Sequence, residues 1–225
     1  MKIYFVRHGH PDYKNDCLTE LGHQQAEAVA ERLKDSGIER IFSSSNGRAF
    51  QTAQHTAKRL GLEVNSCDFM RELSWCSIDN EPILANGSPW SVADIHVSEG
   101  KSLFDGDWYT NDPYCRSRVV ECVGTVIQGL DAWLEELGYK REGEYYRVTG
   151  EDTEKTVAMF SHNGASSAAL SHMLSIPFPQ FCGAFHIGFT SITVVQLSNK
   201  TGELIYPKTL LFNDAKHIEG ITEFL

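Results

Sequence analysis

The feature that most constrains the fold is an alternation of short apolar segments with longer amphipathic ones. The segments with the length and β-forming residues of buried strands are KIYFV (2–6), ERIFSSS (39–45), VNSCDFM (64–70), TVAMFS (156–161) and TSITVVQL (190–197). Helical patterns begin at Thr19 and Asn46 and end at Gly37 and Gly61, and a third runs over 116–137. Strands that alternate with helices predict an α/β fold, a three-layer αβα arrangement around a mainly parallel sheet.

One long stretch interrupts this alternation. Residues 73–114 mix tryptophan and tyrosine with Asp, Asn, Ser, Pro and Gly and show no clear period. An irregular segment of that length is more typical of a lid than of a plain connection. We therefore predict a single domain over 1–225 with an inserted cap or lid at about 73–114. The polar segment 138–156 predicts a loop or exposed hairpin, and a last strand is expected near LIY (204–206).

Charge and cysteine usage exclude several function classes. The net charge of −10 argues against general binding to nucleic acid or to an anionic membrane surface, because both require a basic face. No apolar run approaches the ~20 residues of a membrane span, and the N-terminus lacks the pattern of a signal peptide. The 6 cysteines are scattered, which is typical of reduced thiols. We expect a cytoplasmic protein; the sequence leaves its oligomeric state open.

Two predicted strands end in the same way. Arg7 and His8 follow the first strand, His162 follows the strand at 156–161, and a glycine comes within two residues of each histidine. Ligands of an open parallel sheet bind beyond the carboxyl ends of its strands, so neighbouring strands would place both imidazoles in one crevice. Arg48, in the first turn of the second helix, adds an anion-binding guanidinium there. Glu72, at the end of another strand, is a candidate proton donor.

These motifs, in this order along the chain, resemble the histidine phosphatase superfamily, the phosphoglycerate-mutase-like enzymes. The resemblance rests on RHG after the first strand, LTELGHQQA, SSSNGRAFQTA, a glutamate after the third strand, and SHNG. The residues that match L-T-x-x-G-x-x-Q-A and R-A-x-Q-T-A are Leu18, Thr19, Gly22, Gln25 and Ala26, then Arg48, Ala49, Gln51, Thr52 and Ala53.

The resemblance implies a covalent mechanism on a small phosphorylated substrate. His8 would attack a phosphate monoester and become phosphohistidine, while Arg7, Arg48 and His162 would hold the three equatorial oxygens. Glu72 would protonate the leaving oxygen and then deprotonate the water that cleaves the phosphoenzyme. The mechanism requires no metal or other cofactor, because the arginines and His162 supply the positive charge.

The chain also departs from the family pattern. His10 stands where members often have Glu or Gln, and Asn163 stands third in a motif that is often S-H-G-G. The longer loop after RHG and the N-E-R and R-R-S motifs of the mutases are missing, which favours a phosphatase over a mutase. Asn15, one residue away from the family's asparagine, and Asn163 are the further substrate-binding candidates.

Three alternatives remain open from the sequence. The first is phosphoglycerate-mutase-type phosphoryl transfer, and the second is a non-catalytic module that binds a phosphorylated ligand. The third uses His8 and His10 as an H-x-H metal pair, the way several metal-dependent hydrolases begin. The complete set of arginines, histidines and glutamate argues against the second, and loss of activity on chelation would distinguish the third.

Overall fold

A computed structural model describes residues 1–79, 81, 88–151 and 154–221. The strands are β1 (Lys2–Arg7), β2 (Pro11–Asp12), β3 (Cys17–Leu18), β4 (Arg40–Ser44), β5 (Val64–Cys67), β6 (Tyr139–Glu142), β7 (Tyr145–Val148), β8 (Thr156–Ser161), β9 (Ile192–Gln196), β10 (Leu204–Ile205) and β11 (Lys208–Asp214). The helices are α1 (Glu20–Leu33), α2 (Gly47–Leu60), α3 (Pro89–Ser98), α4 (Val119–Glu136), α5 (Asn163–Met173) and α6 (Phe178–Ala184).

The central sheet has six strands in the order β11-β9-β1-β8-β4-β5. β1, β8, β4 and β5 are parallel, whereas β9 runs antiparallel to β1, and β11 antiparallel to β9. The predicted mainly parallel sheet is thus confirmed. The strand β11 was not predicted, because KTLLFND shows no alternation: as an edge strand with two register shifts it leaves Leu210 and Leu211 exposed.

Helices cover both faces of the sheet, which confirms the three-layer αβα prediction. Successive residues of β8 point to opposite faces: Met159 packs into one core and Phe160 into the other. The first core includes Leu130 of α4 and Leu170 of α5. The second includes Leu33 of α1 and residues of α2. The two buried faces explain why the parallel strands read as continuous apolar runs.

The helix ends follow the signals in the sequence. The Thr19 hydroxyl accepts a hydrogen bond from Gly22 N at 3.1 Å and caps α1. α2 ends at Gly61, which adopts the left-handed conformation with φ 69°. Asn46 occupies the N-cap position of α2, but its side chain makes no capping hydrogen bond and serves the site described below.

The predicted cap contains a helix that the sequence did not indicate. α3 buries Val92, Ala93 and His96 but leaves Ile95 and Val97 exposed, so apolar residues fall on both sides and no period is visible. Trp108 and Tyr114 pack into the same core as α4 and α5. Residues 80 and 82–87 of this stretch lie outside the described part of the chain, and a lid function remains a prediction.

The segment 138–156 is a hairpin, but not an exposed one. β6 and β7 pair antiparallel, and β10 extends them into a three-stranded sheet. Tyr139, Tyr146 and Val148 are buried in the core because this small sheet packs against α4, so the expectation of an exposed hairpin was wrong in this respect. Residues 152–153 lie outside the described residues. No helix among those described is long and apolar enough to cross a membrane.

Candidate functional site

The two predicted histidines meet at the carboxyl edge of the sheet. β1 and β8 are direct parallel neighbours with Arg7 opposite Ser161, so each strand delivers its following histidine to the same crevice. His8 and His162 are both buried, and their ring centroids are 5.1 Å apart. The expectation that the two strands bring two imidazoles together is therefore met by the register of the sheet.

Hydrogen bonding fixes the tautomer of His8. Its Nδ1 lies 2.7 Å from the carbonyl oxygen of Gly9, which can only accept, so the proton resides on Nδ1. Nε2 therefore carries a lone pair, and Arg48 Nε donates to it at 3.3 Å. Burial, and then the nearby positive charge of Arg7, hold the pKa of His8 well below its ordinary value of 6.5. The imidazole is neutral, with an unprotonated nitrogen facing the cationic cluster.

Arg48 lies in the first turn of α2 and is held by a carboxylate that the sequence did not single out. Its Nη1 donates to Asp16 Oδ1 at 2.5 Å, and Asp16 Oδ2 accepts from Gly47 N at 2.8 Å and from Asn46 Nδ2 at 3.2 Å. Burial opposes ionisation of Asp16, but these hydrogen bonds and Arg48 outweigh it and lower its pKa. Asp16 itself adopts φ 49°, a turn that composition and spacing do not reveal.

Arg7 is fixed by contacts from a late loop of the chain. Its Nη1 donates to the carbonyl of Ile187 at 2.6 Å, and its guanidinium lies 4.0 Å over the ring of Phe189. The same ring is 5.6 Å from that of His8. Burial lowers the pKa of Arg7, partly offset by Tyr13 and Glu72. Arg7 Nε is buried and has no hydrogen-bond partner among the described residues. The neighbouring contacts therefore orient the guanidinium, while its Nε–H lacks an acceptor.

Glu72 lies in a cradle of backbone amides after the 3-10 turn Asp68–Met70. Its Oε1 accepts from Leu73 N at 2.9 Å and from Ala165 N at 3.1 Å, and its Oε2 accepts from Gly164 N at 3.4 Å. Burial raises the pKa of this carboxyl above its ordinary 4.5, against the opposing effect of these donors. The Glu72 amide donates to Asn46 Oδ1 at 3.2 Å, so Asn46 links the general-acid candidate to Asp16.

His162 is the second imidazole, and its Nε2 lies 2.9 Å from Ser44 Oγ at the end of β4. Burial, then the proximity of His8 and Arg48, keep its pKa well below 6.5. Within the described residues, His162 Nδ1 and Asn163 Oδ1 are buried without hydrogen-bond partners. The exposed Asn15 side chain instead donates to Asp12 Oδ2 at 2.7 Å, within the loop that joins β2 and β3.

The motif residues without an assigned chemical role hold the loop that follows β1. Gln25 Oε1 accepts from His10 N at 2.7 Å, Gln51 Oε1 accepts from Leu18 N at 2.7 Å, and Thr52 Oγ1 accepts from Gly9 N at 3.1 Å. A side chain at Gly9 would come within 2.6 Å of the Gly22 carbonyl oxygen. Gln25, Gln51 and Thr52, with the close approach of Gly9 to Gly22, therefore fix the backbone beside His8.

The H-x-H pair does not extend to a larger ligand cluster in the described part of the chain. His10 Nδ1 lies 2.9 Å from Thr19 Oγ1, and its ring stands edge-on to Phe189 at 5.7 Å. No group of three or more His, Cys, Asp or Glu side chains that could hold a metal ion occurs within residues 1–79, 81, 88–151 and 154–221. His8 and His10 therefore lack a third ligand within these ranges.

Comparison with known sequences identifies the family. A sequence model of the histidine phosphatase superfamily (branch 1) matches residues 3–208. This chain belongs to that superfamily. Among curated relatives, the probable phosphoglycerate mutase GpmB of Yersinia pestis (strain Pestoides F) is 31% identical over 122 residues, which covers 49% of this chain and 57% of the relative. The chain thus spans little more than half the length of this curated relative.

Solved structures show the same fold over nearly the whole chain. The mycobacterial glucosyl-3-phosphoglycerate phosphatase aligns with TM-score 0.65 at 21% identity, covering 94% of this chain and 98% of that one. The phosphoserine phosphatase of Entamoeba histolytica aligns with TM-score 0.64 at 20% identity, covering 96% and 98%. At this identity the similarity establishes the α/β fold of the histidine phosphatases, and the chemistry has to be argued from the site.

Proposed function

We propose that this protein hydrolyses a phosphate monoester through a phosphohistidine intermediate on His8, without a metal ion. The observation that carries the proposal is the fixed tautomer of His8. The Gly9 carbonyl holds the proton on Nδ1, and the low pKa leaves Nε2 unprotonated at neutral pH. A buried neutral imidazole with a directed lone pair is an activated nucleophile. Nε2 would attack phosphorus, and the alcohol would leave from the opposite side.

The positive charge around His8 supports phosphoryl transfer. Arg7 and Arg48 place two guanidinium groups beside the nucleophile, each held by protein contacts before any substrate arrives. Donors that are already in position stabilise the charge on the equatorial oxygens without reorganisation, typically by ~3–4 kcal/mol each. His162 is neutral in the free site, and an arriving phosphate dianion would raise its pKa and stabilise the imidazolium.

Glu72 has the properties of the acid in the first step and the base in the second. Burial raises its pKa, so a larger fraction of this carboxyl group carries a proton at a given pH. In the first step the proton would pass to the leaving alcohol oxygen. The carboxylate would then take a proton from the water that attacks phosphohistidine, which restores both His8 and Glu72.

Hydrolysis is favoured over mutase-type transfer by the short segment after RHG. The loop of residues 10–17 turns back through the β2–β3 pair, and the mutases' longer loop and later substrate motifs are missing from the sequence. Two structural neighbours are named as phosphatases, of glucosyl-3-phosphoglycerate and of phosphoserine, while the GpmB relatives are named as probable mutases. We propose a small phosphorylated metabolite as the substrate. Asn163 is a further residue proposed to contact it, and Asn15, whose side chain bonds Asp12, is the second.

His8→Ala tests the nucleophile directly. This variant should lose all measurable turnover of p-nitrophenyl phosphate, and wild-type protein quenched during turnover should carry an acid-labile, base-stable phosphoryl group. His10→Gln is the matched control, because the metal-pair alternative requires His10 and the proposed mechanism does not. Substantial activity in His8→Ala would refute the assignment. Loss of activity in His10→Gln together with loss on EDTA treatment would support the metal alternative instead.

A further inference from the structure

Two histidines on neighbouring helices lie side by side where α1 packs against α2. His23 of α1 and His55 of α2 have ring centroids 5.4 Å apart, and His23 Nδ1 lies 3.1 Å from His55 Nε2. Both residues are half-buried, and 26% of the His55 side chain is exposed. The proposed phosphatase mechanism uses neither of them, so this second pair of imidazoles has no assigned role.

The buried faces of the two helices set the separation of these rings. α1 contributes Val29 and Leu33 to the core on this side of the sheet, and α2 contributes Ala53 to the same core. Because this packing holds both helices in place, rigid elements deliver the two imidazoles to one point. A ligand that needs two nitrogens close together would therefore find them already positioned.

A carboxylate fixes the orientation of His55. Glu27 Oε2 lies 3.0 Å from His55 Nδ1, and Arg59 Nη2 donates to Glu27 Oε1 at 2.9 Å. The hydrogen bonds from His55 and then Arg59 lower the pKa of Glu27, so this carboxylate is ionised and can only accept. In the neutral imidazole the proton therefore resides on Nδ1, and Nε2 carries the lone pair. Histidines that bind a metal ion are usually held in this way, with the second ring N–H donated to a carboxylate.

The distance between the two facing nitrogens matches a single metal ion. Two imidazole nitrogens at about 2.0–2.1 Å from Zn²⁺ are ~3.3–3.4 Å apart at a tetrahedral angle and ~2.8–3.0 Å apart at a right angle. The observed 3.1 Å between His23 Nδ1 and His55 Nε2 lies between these values. The ion would sit off the line that joins the nitrogens, so each ring has to turn about χ2, which is a broad torsion for histidine.

The donor set selects the class of ion. Two imidazole nitrogens suit Zn²⁺, Ni²⁺ or Cu²⁺, whereas Mg²⁺ and Ca²⁺ require oxygen ligands. The nearby charges are balanced, because Arg59 pairs with both Glu27 and Glu31. In the part of the chain that the structure describes, no third His, Cys, Asp or Glu completes a metal-binding group, so water has to fill the remaining positions.

We propose that His23 and His55 together bind one divalent transition-metal ion, such as Zn²⁺, with Glu27 as the residue that positions His55. In the hydrogen-bonded pair His23 Nδ1 donates its proton to His55 Nε2. On binding, this proton passes through solvent to His23 Nε2, and both rings coordinate as neutral imidazoles. The ion takes no part in the proposed phosphate hydrolysis, so this site is separate from the His8–His162 crevice.

Calorimetric titration of the reduced, full-length protein with Zn²⁺ tests the proposal. We expect one saturable site per chain, and no heat of binding with Mg²⁺. His23→Gln and His55→Gln should each abolish the Zn²⁺ site, because a single imidazole remains. Glu27→Gln should weaken Zn²⁺ binding by about 10–100-fold, as is typical when the carboxylate behind a metal-bound histidine is removed.

Three control variants should keep the Zn²⁺ site. His172 also pairs with a carboxylate, through Nε2 and Asp131 Oδ2 at 2.9 Å, so His172→Gln removes a carboxylate-bound histidine outside the proposed site. His10→Gln removes the H-x-H pair, and Cys115→Ser removes an exposed thiol. Cooperative thermal unfolding of each variant shows that it is folded.

The proposal is overturned if Zn²⁺ does not bind the wild-type protein. Unchanged binding in a folded His23→Gln or His55→Gln variant overturns it as well. Loss of the site in His10→Gln, His172→Gln or Cys115→Ser would place the ion elsewhere and has the same consequence. None of these measurements depends on phosphatase turnover, so failure here and failure of the proposed function are distinguishable.

Discussion

Replacing Gly164 by Ala inserts one methyl group into the cradle that holds the Glu72 carboxyl. A Cβ at this position would lie 2.5 Å from Glu72 Oε1 and 2.8 Å from Trp75 Cζ2, whereas ordinary van der Waals contact begins at 3.4 Å. The carboxyl therefore has to move by roughly 1 Å, away from its hydrogen bond with Ala165 N at 3.1 Å. The change acts on the general-acid candidate and leaves His8 and both arginines in place.

The expected loss depends on the leaving group. Overpacking of this kind costs about 1–3 kcal/mol of stability, which a domain of this size can tolerate. A displaced general acid removes up to ~10²–10⁴-fold of rate, but only where the leaving oxygen needs a proton. Gly164→Ala should thus lower kcat/KM strongly for an alkyl phosphate and only slightly for p-nitrophenyl phosphate, because nitrophenolate leaves without protonation.

Steady-state kinetics with both esters, at a temperature below the measured Tm of each variant, provides the assay. Gly124→Ala is the matched control: it adds the same methyl group within α4, where no described atom outside the adjoining helix backbone lies within 4 Å of the new Cβ. That variant should keep full activity on both esters. Equal losses on the two esters, or no loss on either in a folded Gly164→Ala protein, would refute the assignment of Glu72 as the acid.

Three further results are expected. The plot of kcat/KM against pH for an alkyl phosphate should be bell-shaped. The acid limb, below pH 6.5, reflects protonation of His8, whose pKa is lowered, and the basic limb, above pH 4.5, reflects ionisation of Glu72, whose pKa is raised. The basic limb should disappear in Glu72→Gln. Calorimetry should show that Glu72→Gln raises Tm at neutral pH but not below pH 4.5, since a raised pKa contributes stability that is lost as Glu72 ionises; equal shifts at both pH values would contradict this. Asp16→Ala should lower kcat/KM by about 10–100-fold, because the Arg48 guanidinium loses the carboxylate that holds it. Unchanged kinetics would show that Asp16 does not position Arg48.

Much of the site could be predicted because its residues directly follow apolar strands. Arg7, His8 and His162 are each within two residues of a strand whose apolar run is unmistakable, and a parallel sheet brings such ends together. Asp16 could not be predicted in this way, since it lies in the turn between the short strands β2 and β3 and does not follow an apolar strand. Phe189 and Ile187 reach Arg7 from a loop 180 residues later in the chain, which local patterns do not report.

Parts of the fold escaped prediction for related physical reasons. β11 is an edge strand, where only one side pairs and side chains on both faces meet solvent, so no burial pattern forms. In α3 the buried Ala93 and His96 replace the large apolar residues that normally mark a helix face. Tyr139 and Tyr146 lie in a segment dominated by charged residues, and only the packing against α4 shows that they are buried.

The position of β1 has a consequence for biosynthesis. Ile3 pairs with Val157 on one side and Val195 on the other, so both neighbours of this strand come from the last third of the described chain. Contacts between residues so far apart slow folding, and an unpaired apolar strand is prone to aggregate while it waits. The segment that carries His8 is synthesised well before the two strands that flank it in the sheet. The crevice that holds His8 and His162 therefore cannot assemble on a nascent chain before β8 and β9 have been synthesised.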